Sequence, residues 1–131
     1  MELRLLLIHG DRPRDLLYKT ILSSVEPAMD ISIAQTREEI ESHPLPVLIL
    51  LDLDLSLPSS LEILEWLRSE KSYHQIPVIA LTSTQTADRV NRAYELGANS
   101  CVMKTENGLM AEIARGIASF ARILSGWPQA A

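Results

Sequence analysis

Residues 47–54 read VLILLDLD, in which five apolar residues are followed by a carboxylate. Prolines lie on both sides of this run, with Pro44 and Pro46 before it and Pro58 after it. A short apolar run between prolines is typical of a strand that is buried on both faces of a parallel sheet. The strand would end at Asp52, which has two interpretations. It is a turn residue that ends the strand, or it lies at the sheet edge where open α/β folds bind ligands.

Four further segments have strand-like patterns, and helical patterns lie between them. The other predicted strands are residues 3–8, 31–34, 76–81 and 100–103, and the predicted helices begin near residues 13, 36, 59, 86 and 107. Thr36 and Ser59 each begin a capping-box pattern, and Gly97 is expected to be a left-handed C-cap. This strict alternation predicts one α/β domain with a doubly wound, five-stranded parallel sheet and right-handed crossovers.

Apolar spacing predicts which helix faces cover the sheet. The expected buried stripe of the first helix consists of Leu16, Leu17, Ile21, Leu22 and Val25. The expected stripe of the fourth helix consists of Val90, Ala93, Tyr94 and Leu96. Both sets follow the helical period, so both helices should pack one face on the sheet.

Composition limits the class of protein. The chain has 131 residues, 47% hydrophobic and 22% charged, which suits one domain with a sizeable core. Its net charge of −5 argues against nucleic acid or an anionic membrane as the main partner. The single cysteine, Cys101, excludes an internal disulfide and suits a cytoplasmic location. We expect a domain over residues 1–124 and a tail over residues 125–131, with no signal peptide, membrane span or output domain.

Polar residues follow the predicted strands at their carboxyl ends. Asp52, Thr82 and Lys104 each come after an apolar strand, and residues 9–11 (His-Gly-Asp) follow the first one. Singly, Thr82 suits an ordinary strand residue, and Lys104 suits a surface lysine paired with an acid. Together they suggest phosphoryl chemistry, because a carboxylate can accept a phosphoryl group while an ammonium and a hydroxyl hold its oxygens. A divalent cation with oxygen ligands would also be needed.

The same segments resemble the receiver domains of two-component response regulators, and the resemblance covers essentially the whole chain. Residues 50–55 resemble the phospho-acceptor strand, 78–83 the fourth strand, 94–100 the following helix-to-strand turn and 102–104 the lysine strand. The resemblance implies a CheY-like, flavodoxin-like fold with strand order 2-1-3-4-5. It also implies that Asp52 is the phospho-acceptor and that Thr82 and Lys104 act on the phosphoryl group.

The cation site departs from the family pattern. Members of this family usually carry two adjacent acidic residues after the first strand. A gapless alignment places His9 and Gly10 there, whereas a shift of one residue places Gly10 and Asp11 there. Either alignment leaves at most one carboxylate. The resemblance therefore implies a weakened Mg²⁺ site made from Asp11, Asp52 and the backbone carbonyl of Asp54.

Three other positions depart from the family pattern. Cys101 stands at the usual aromatic switch position, Thr105 replaces the proline after the lysine, and Ser60 replaces a glycine after the acceptor loop. These departures leave two interpretations open. The chain is a receiver that takes a phosphoryl group from a histidine kinase or phosphotransfer protein, or it is a pseudo-receiver that binds partners without phosphorylation. In neither case is it expected to be an enzyme beyond self-catalysed phosphoryl transfer.

A third interpretation is a phosphohydrolase of the haloacid dehalogenase type. Residues 52–56, DLDLS, match the nucleophile motif of that family. However, that family adds an acidic pair later in the chain, and nothing after Lys104 qualifies. We therefore expect signalling through a downstream partner protein. A homodimer or a partner contact through the fourth helix, fifth strand and fifth helix is also expected, since the last helix and tail carry Phe120, Ile123, Leu124 and Trp127.

Overall fold

The computed structural model describes residues 3–8, 12–54, 59–83, 87–104 and 109–126. Predictions for His9, Gly10, Asp11, Thr105 and Trp127 lie outside these residues. Within them, strands and helices alternate in the order β1 (Arg4–Ile8), α1 (Arg12–Val25), β2 (Asp30–Ala34), α2 (Arg37–Ser42), β3 (Leu48–Asp52), α3 (Ser60–Ser69), β4 (Val78–Thr82), α4 (Ala87–Glu95), β5 (Ser100–Met103) and α5 (Leu109–Ser125). Among these helices, none is both long and apolar enough to cross a bilayer.

The five strands form one sheet, all parallel, in the order β2-β1-β3-β4-β5. This confirms the predicted strand order and fold class. β3 lies at the centre, and all five of its residues are buried. Its side chains alternate between two cores, because successive residues of a strand point to opposite faces. Leu48 and Leu50 pack on the face covered by α1 and α5, whereas Ile49 and Leu51 pack on the other face, against α3.

The buried face of α1 differs from the predicted stripe. Leu16 and Leu17 are 63% and 52% exposed, so their predicted burial was wrong. Tyr18 and Leu22 are buried instead, and Ile21 is partly buried in the same core. Residues 18, 21, 22 and 25 follow the i, i+3, i+4, i+7 pattern of one helical face, and the prediction omitted the tyrosine on it.

In α4, one residue of the predicted stripe, Tyr94, lies outside the buried face. Ala93 is buried as expected, whereas Tyr94 is 47% exposed. Tyr94 lies about 100° around the helix from Ala93, on the side that the core does not cover. The core therefore takes Ala93 and leaves Tyr94 at the surface.

Two capping predictions have different outcomes. The Thr36 hydroxyl accepts a hydrogen bond from the Glu39 backbone N–H at 3.2 Å, as the capping box predicts. Ser59 is the N-cap of α3, but its side chain makes no capping hydrogen bond, so that prediction was wrong. The neighbouring Ser60 hydroxyl is buried and donates to the Leu53 carbonyl at 2.9 Å. The Ser60 hydroxyl therefore holds the backbone directly after β3.

Arg68 ties α3 to the turn that precedes β5. Two nitrogens of its half-buried guanidinium donate to the Gly97 carbonyl, at 3.0 and 2.9 Å. The guanidinium also donates to the Ile76 carbonyl at 2.8 Å and to Asn99 Oδ1 at 3.0 Å. Asn99 Oδ1 accepts the Val78 backbone N–H as well, at 2.8 Å. Gly97 has the expected positive φ, at 108°. This network fixes the start of β5, which leads to Lys104.

Candidate functional site

The carboxyl ends of three adjacent strands bring Asp52, Thr82 and Lys104 together. Asp52 ends β3, Thr82 ends β4 and Lys104 directly follows β5. The three residues are 4%, 4% and 8% exposed, so a carboxylate, a hydroxyl and an ammonium are all buried at one edge of the sheet. Buried charges require partners, because burial of an unpaired ion is very costly. The way in which these groups are paired therefore defines the site.

Lys104 lies between two carboxylates. Its Nζ is 2.7 Å from Asp52 Oδ1 and 2.7 Å from Asp54 Oδ2. Its backbone N–H donates to the Thr82 carbonyl at 2.7 Å, which holds the lysine against the end of β4. Burial alone would lower the pKa of Lys104, but its hydrogen bonds with Asp52 and Asp54 outweigh burial and raise the pKa. The ammonium is therefore charged at neutral pH.

The Asp54 carboxylate is a site group that sequence reasoning missed, since Asp54 was predicted to contribute only its backbone carbonyl. Its Oδ2 accepts the Ser83 backbone N–H at 3.0 Å in addition to the Lys104 ammonium. Burial would raise the pKa of Asp54, but hydrogen bonds from Lys104 and Ser83 lower it overall. Its backbone N–H donates to Asp52 Oδ1 at 2.9 Å, the local turn that an Asp side chain often makes. The Asp-x-Asp spacing was the signal that could have indicated it.

The loop after Asp52 is held from two helices. The Leu53 carbonyl accepts hydrogen bonds from the Ser60 hydroxyl of α3 and from the Arg89 guanidinium of α4. The Leu53 N–H donates to the Leu81 carbonyl at 2.7 Å, which extends the sheet by one bond. No sequence pattern pointed to Arg89, because its partner lies 36 residues away. The backbone at Leu53 is thus fixed by both helices.

The described residues suit a hard divalent cation in kind but offer few ligands. Mg²⁺ takes oxygen ligands, and the Asp52 and Asp54 carboxylates supply them. No group of three or more His, Cys, Asp or Glu residues that could hold a metal exists in the part of the chain that the structure describes. Asp11, the third predicted ligand residue, lies outside that part. The two carboxylates fit such an ion, and both are already paired with Lys104.

Cys101 is half-buried on β5. Its backbone N–H donates to the Tyr94 hydroxyl at 3.1 Å. Burial raises the pKa of the Cys101 thiol, and a hydrogen bond with Tyr94 partly opposes this. The aromatic ring on this side of the molecule is thus supplied by α4 rather than by β5.

Five parallel strands in the order β2-β1-β3-β4-β5, with Asp52, Thr82 and Lys104 together at their carboxyl ends, define a receiver-type fold. The response regulator receiver domain family matches residues 14–114 of the chain. The chain belongs to this family. Receiver domains are signalling modules, generally not enzymes, so membership argues against the phosphohydrolase alternative.

Individual relatives are response regulators. The response regulator Rcp1 of Synechocystis sp. is 34% identical over 91 residues, which cover 69% of this chain and 62% of that protein. The match thus spans less than two thirds of that relative. The crystal structure of the Mn²⁺-bound form of Rcp1 has 26% identity and a TM-score of 0.74, covering 98% of this chain and 99% of that one. The phosphorylated cyanobacterial phytochrome response regulator RcpA has a TM-score of 0.80 at 21% identity, covering 96% and 98%, and shares the fold.

Proposed function

We propose that this chain is a phosphorylatable receiver that takes a phosphoryl group on Asp52 from a phosphohistidine and signals through a partner protein. The observation that carries this proposal is the buried Asp52 carboxylate, which is held by the Lys104 ammonium at 2.7 Å. The donor would be a histidine kinase or a phosphotransfer protein. The similarity to proteins named as response regulators supports this assignment.

The proposed step moves one phosphoryl group between two side chains. An oxygen of the Asp52 carboxylate attacks phosphorus, and the bond between phosphorus and the histidine nitrogen breaks. The electron pair of that bond stays on the imidazole, which takes up a proton from water. The product is an acyl phosphate on Asp52, and Lys104 and Thr82 would hold its oxygens.

The proposed cofactor is Mg²⁺, held by Asp52, the backbone carbonyl of Asp54 and Asp11. When bound, such an ion neutralises part of the charge on the phosphoryl oxygens. We propose that it binds weakly, because at most one residue of the usual acidic pair is a carboxylate and less negative charge attracts the cation less strongly. The Mn²⁺-bound form of Rcp1 supports divalent-ion binding in such a relative.

Residues 1–124 would form the receiver domain and residues 125–131 a tail, in a cytoplasmic protein whose partners are proteins rather than nucleic acid or membrane. We also propose a homodimer through α4, β5 and α5. Ile123 is 61% exposed on α5, and Phe120 is partly buried. An open groove of about 370 Å³ lies between β5 and α5, lined in part by Val102 and Phe120. Exposed apolar surface of this kind usually marks a contact.

Intact mass measurement after incubation with acetyl phosphate tests the acceptor. We expect the native chain to gain one phosphoryl group in the presence of Mg²⁺, slowly, and Asp52→Asn to gain none. Replacing Gly10 by Asp, together with His9→Glu, should tighten Mg²⁺ binding and speed labelling.

The second candidate function is the pseudo-receiver, and the cysteine at the switch position favours it. If neither the native chain nor the double variant is labelled, the chain is a phosphorylation-independent interaction module. Labelling of Asp52→Asn at the native rate would show that Asp52 is not the acceptor.

A further inference from the structure

The Asp54 carboxylate is bound to hydrogen-bond donors that a phosphoryl group on Asp52 would need. Asp52 Oδ1 and Asp54 Oδ2 are each 2.7 Å from the same Lys104 nitrogen. Asp54 Oδ2 also takes the backbone N–H of Ser83, the residue that follows Thr82 at the end of β4. One carboxylate oxygen therefore engages both an ammonium and a backbone amide directly beside the acceptor.

A phosphoryl group attached to Asp52 would carry nearly two negative charges on three oxygens. Such oxygens bind ammonium groups and backbone N–H groups, as phosphate sites in proteins generally do. The Lys104 ammonium is already in contact with the acceptor, and the Ser83 N–H lies at the end of the adjacent strand. These are the same two donors that Asp54 holds. The Asp54 carboxylate offers these donors a negative charge and oxygen acceptors, as a phosphoryl group would.

We propose that Asp54 is an internal competitor for the phosphoryl group, which must displace its carboxylate from Lys104 and Ser83 when Asp52 is modified. This inference rests on the proposed function and adds a control on how readily Asp52 is labelled. The competition follows from charge as well as from shared donors. A phosphoryl group and a carboxylate repel each other, so both cannot remain on one ammonium without loss. Asp54 therefore lowers the rate of labelling and the labelled fraction at equilibrium.

The displaced side chain also has a structural consequence. Asp54 follows Leu53, whose carbonyl is held by Ser60 and Arg89. When its carboxylate leaves the site, the backbone at Leu53 stays fixed by these donors, so the movement begins at Asp54. The competitor thus couples the phosphorylation state of Asp52 to the position of the Asp54 side chain.

The test compares Asp54→Ala and the isosteric Asp54→Asn with the native chain. Asp30→Asn is the matched control, since it removes one negative charge at the opposite end of the sheet, where the Asp30 side chain is 67% exposed. The initial rate of Asp52 labelling by acetyl phosphate is measured at saturating Mg²⁺, after a Mg²⁺ titration of each variant. We expect the labelling rate of Asp54→Ala to be about tenfold higher, because the free energy of one hydrogen bond to a charged group corresponds to about a tenfold change. Asp54→Asn should be intermediate and Asp30→Asn unchanged.

A second measurement does not depend on phosphoryl transfer. Beryllofluoride, a stable substitute for the phosphoryl group, is titrated in the presence of Mg²⁺ while the Ser83 amide resonance is followed. We expect about tenfold tighter binding by Asp54→Ala. In the native chain, beryllofluoride should shift the Ser83 resonance as its bond to Asp54 is replaced.

The outcomes separate this inference from the proposed function. If the native chain is labelled but Asp54→Ala is labelled no faster and binds beryllofluoride no more tightly, the competitor idea alone fails. If no variant is labelled or binds beryllofluoride, the acceptor function fails and the competitor idea fails with it. An equal increase in Asp30→Asn would mean that net charge, not the site contact, is responsible, and would also overturn the inference.

Discussion

Replacing Arg68 by Ala should destabilise the fold by about 3 kcal/mol. The guanidinium donates to carbonyls at Gly97 and Ile76 and to the Asn99 side chain at 2.8–3.0 Å. A hydrogen bond from a charged group contributes about 1.5–3 kcal/mol, more where the acceptor is left unpaired. Because Arg68 is only half-buried and water can reach some acceptors, we count two bonds at the lower end of that range.

Urea denaturation followed by far-UV circular dichroism measures this loss of unfolding free energy. For a domain of this size, about 3 kcal/mol corresponds to a decrease in Tm of about 10 °C. Arg92→Ala is the matched control, since Arg92 forms an ion pair with Glu95 at 3.3 Å with side chains that are 56% and 66% exposed. Such a pair contributes about 0.5 kcal/mol or less. If the two variants differ by less than about 1 kcal/mol, Arg68 does not fix the α4–β5 turn as argued.

Two further predictions concern stability. Gly97→Ala should cost about 2 kcal/mol of unfolding free energy, because its φ is +108° and a Cβ there would lie 2.8 Å from Arg68 Nε. In denaturation experiments, the double variant with Arg68→Ala should lose less stability than the sum of the two single losses. Strict additivity would contradict the contact between the two residues. The Arg122 hydrogen bond lowers the pKa of Glu26 from its ordinary value of 4.5. The ionised Glu26 therefore stabilises the folded protein above that pH, and the stabilisation is lost as pH falls through the lower pKa of the folded state. The native protein should therefore lose more stability than Glu26→Gln on acidification below pH about 4.5. If urea denaturation at each pH gives both proteins the same loss of unfolding free energy, the Glu26–Arg122 pairing is contradicted.

The sheet and the three-residue set were predictable because they depend on local patterns. The apolar run into Asp52 can be buried on both faces only in a central parallel strand, and topology then brings Thr82 and Lys104 to the same edge. The roles proposed for these three residues remain predictions. The polar contacts around them were not predictable, because they depend on the path of loops between distant segments. For example, Arg68 donates a hydrogen bond to the carbonyl of Gly97, 29 residues further along the chain, and no periodic pattern in the sequence predicts this contact.

Two of the errors of local interpretation concern side chains that follow β3. The Ser59 pattern is correct for a capping box, but the Ser59 side chain makes no capping hydrogen bond, and the adjacent Ser60 hydroxyl donates to the Leu53 carbonyl. Asp54 was considered only for its backbone carbonyl, whereas the turn that starts at Asp52 brings its carboxylate to Lys104. Side-chain orientation in a turn is decided by such bonds rather than by residue spacing.

The tyrosine hydroxyl beside β5 has a consequence for how molecules can associate. β5 is an edge strand of the sheet, and edge strands present backbone groups to which a strand of another chain can add. The Tyr94 hydroxyl already accepts the Cys101 N–H, near the middle of this short strand. Addition of a strand here would first have to break the hydrogen bond between the Cys101 N–H and the Tyr94 hydroxyl. The Cys101 N–H is therefore already engaged and would have to be released before the sheet could extend here, so we expect a partner on this side to bind mainly through side chains.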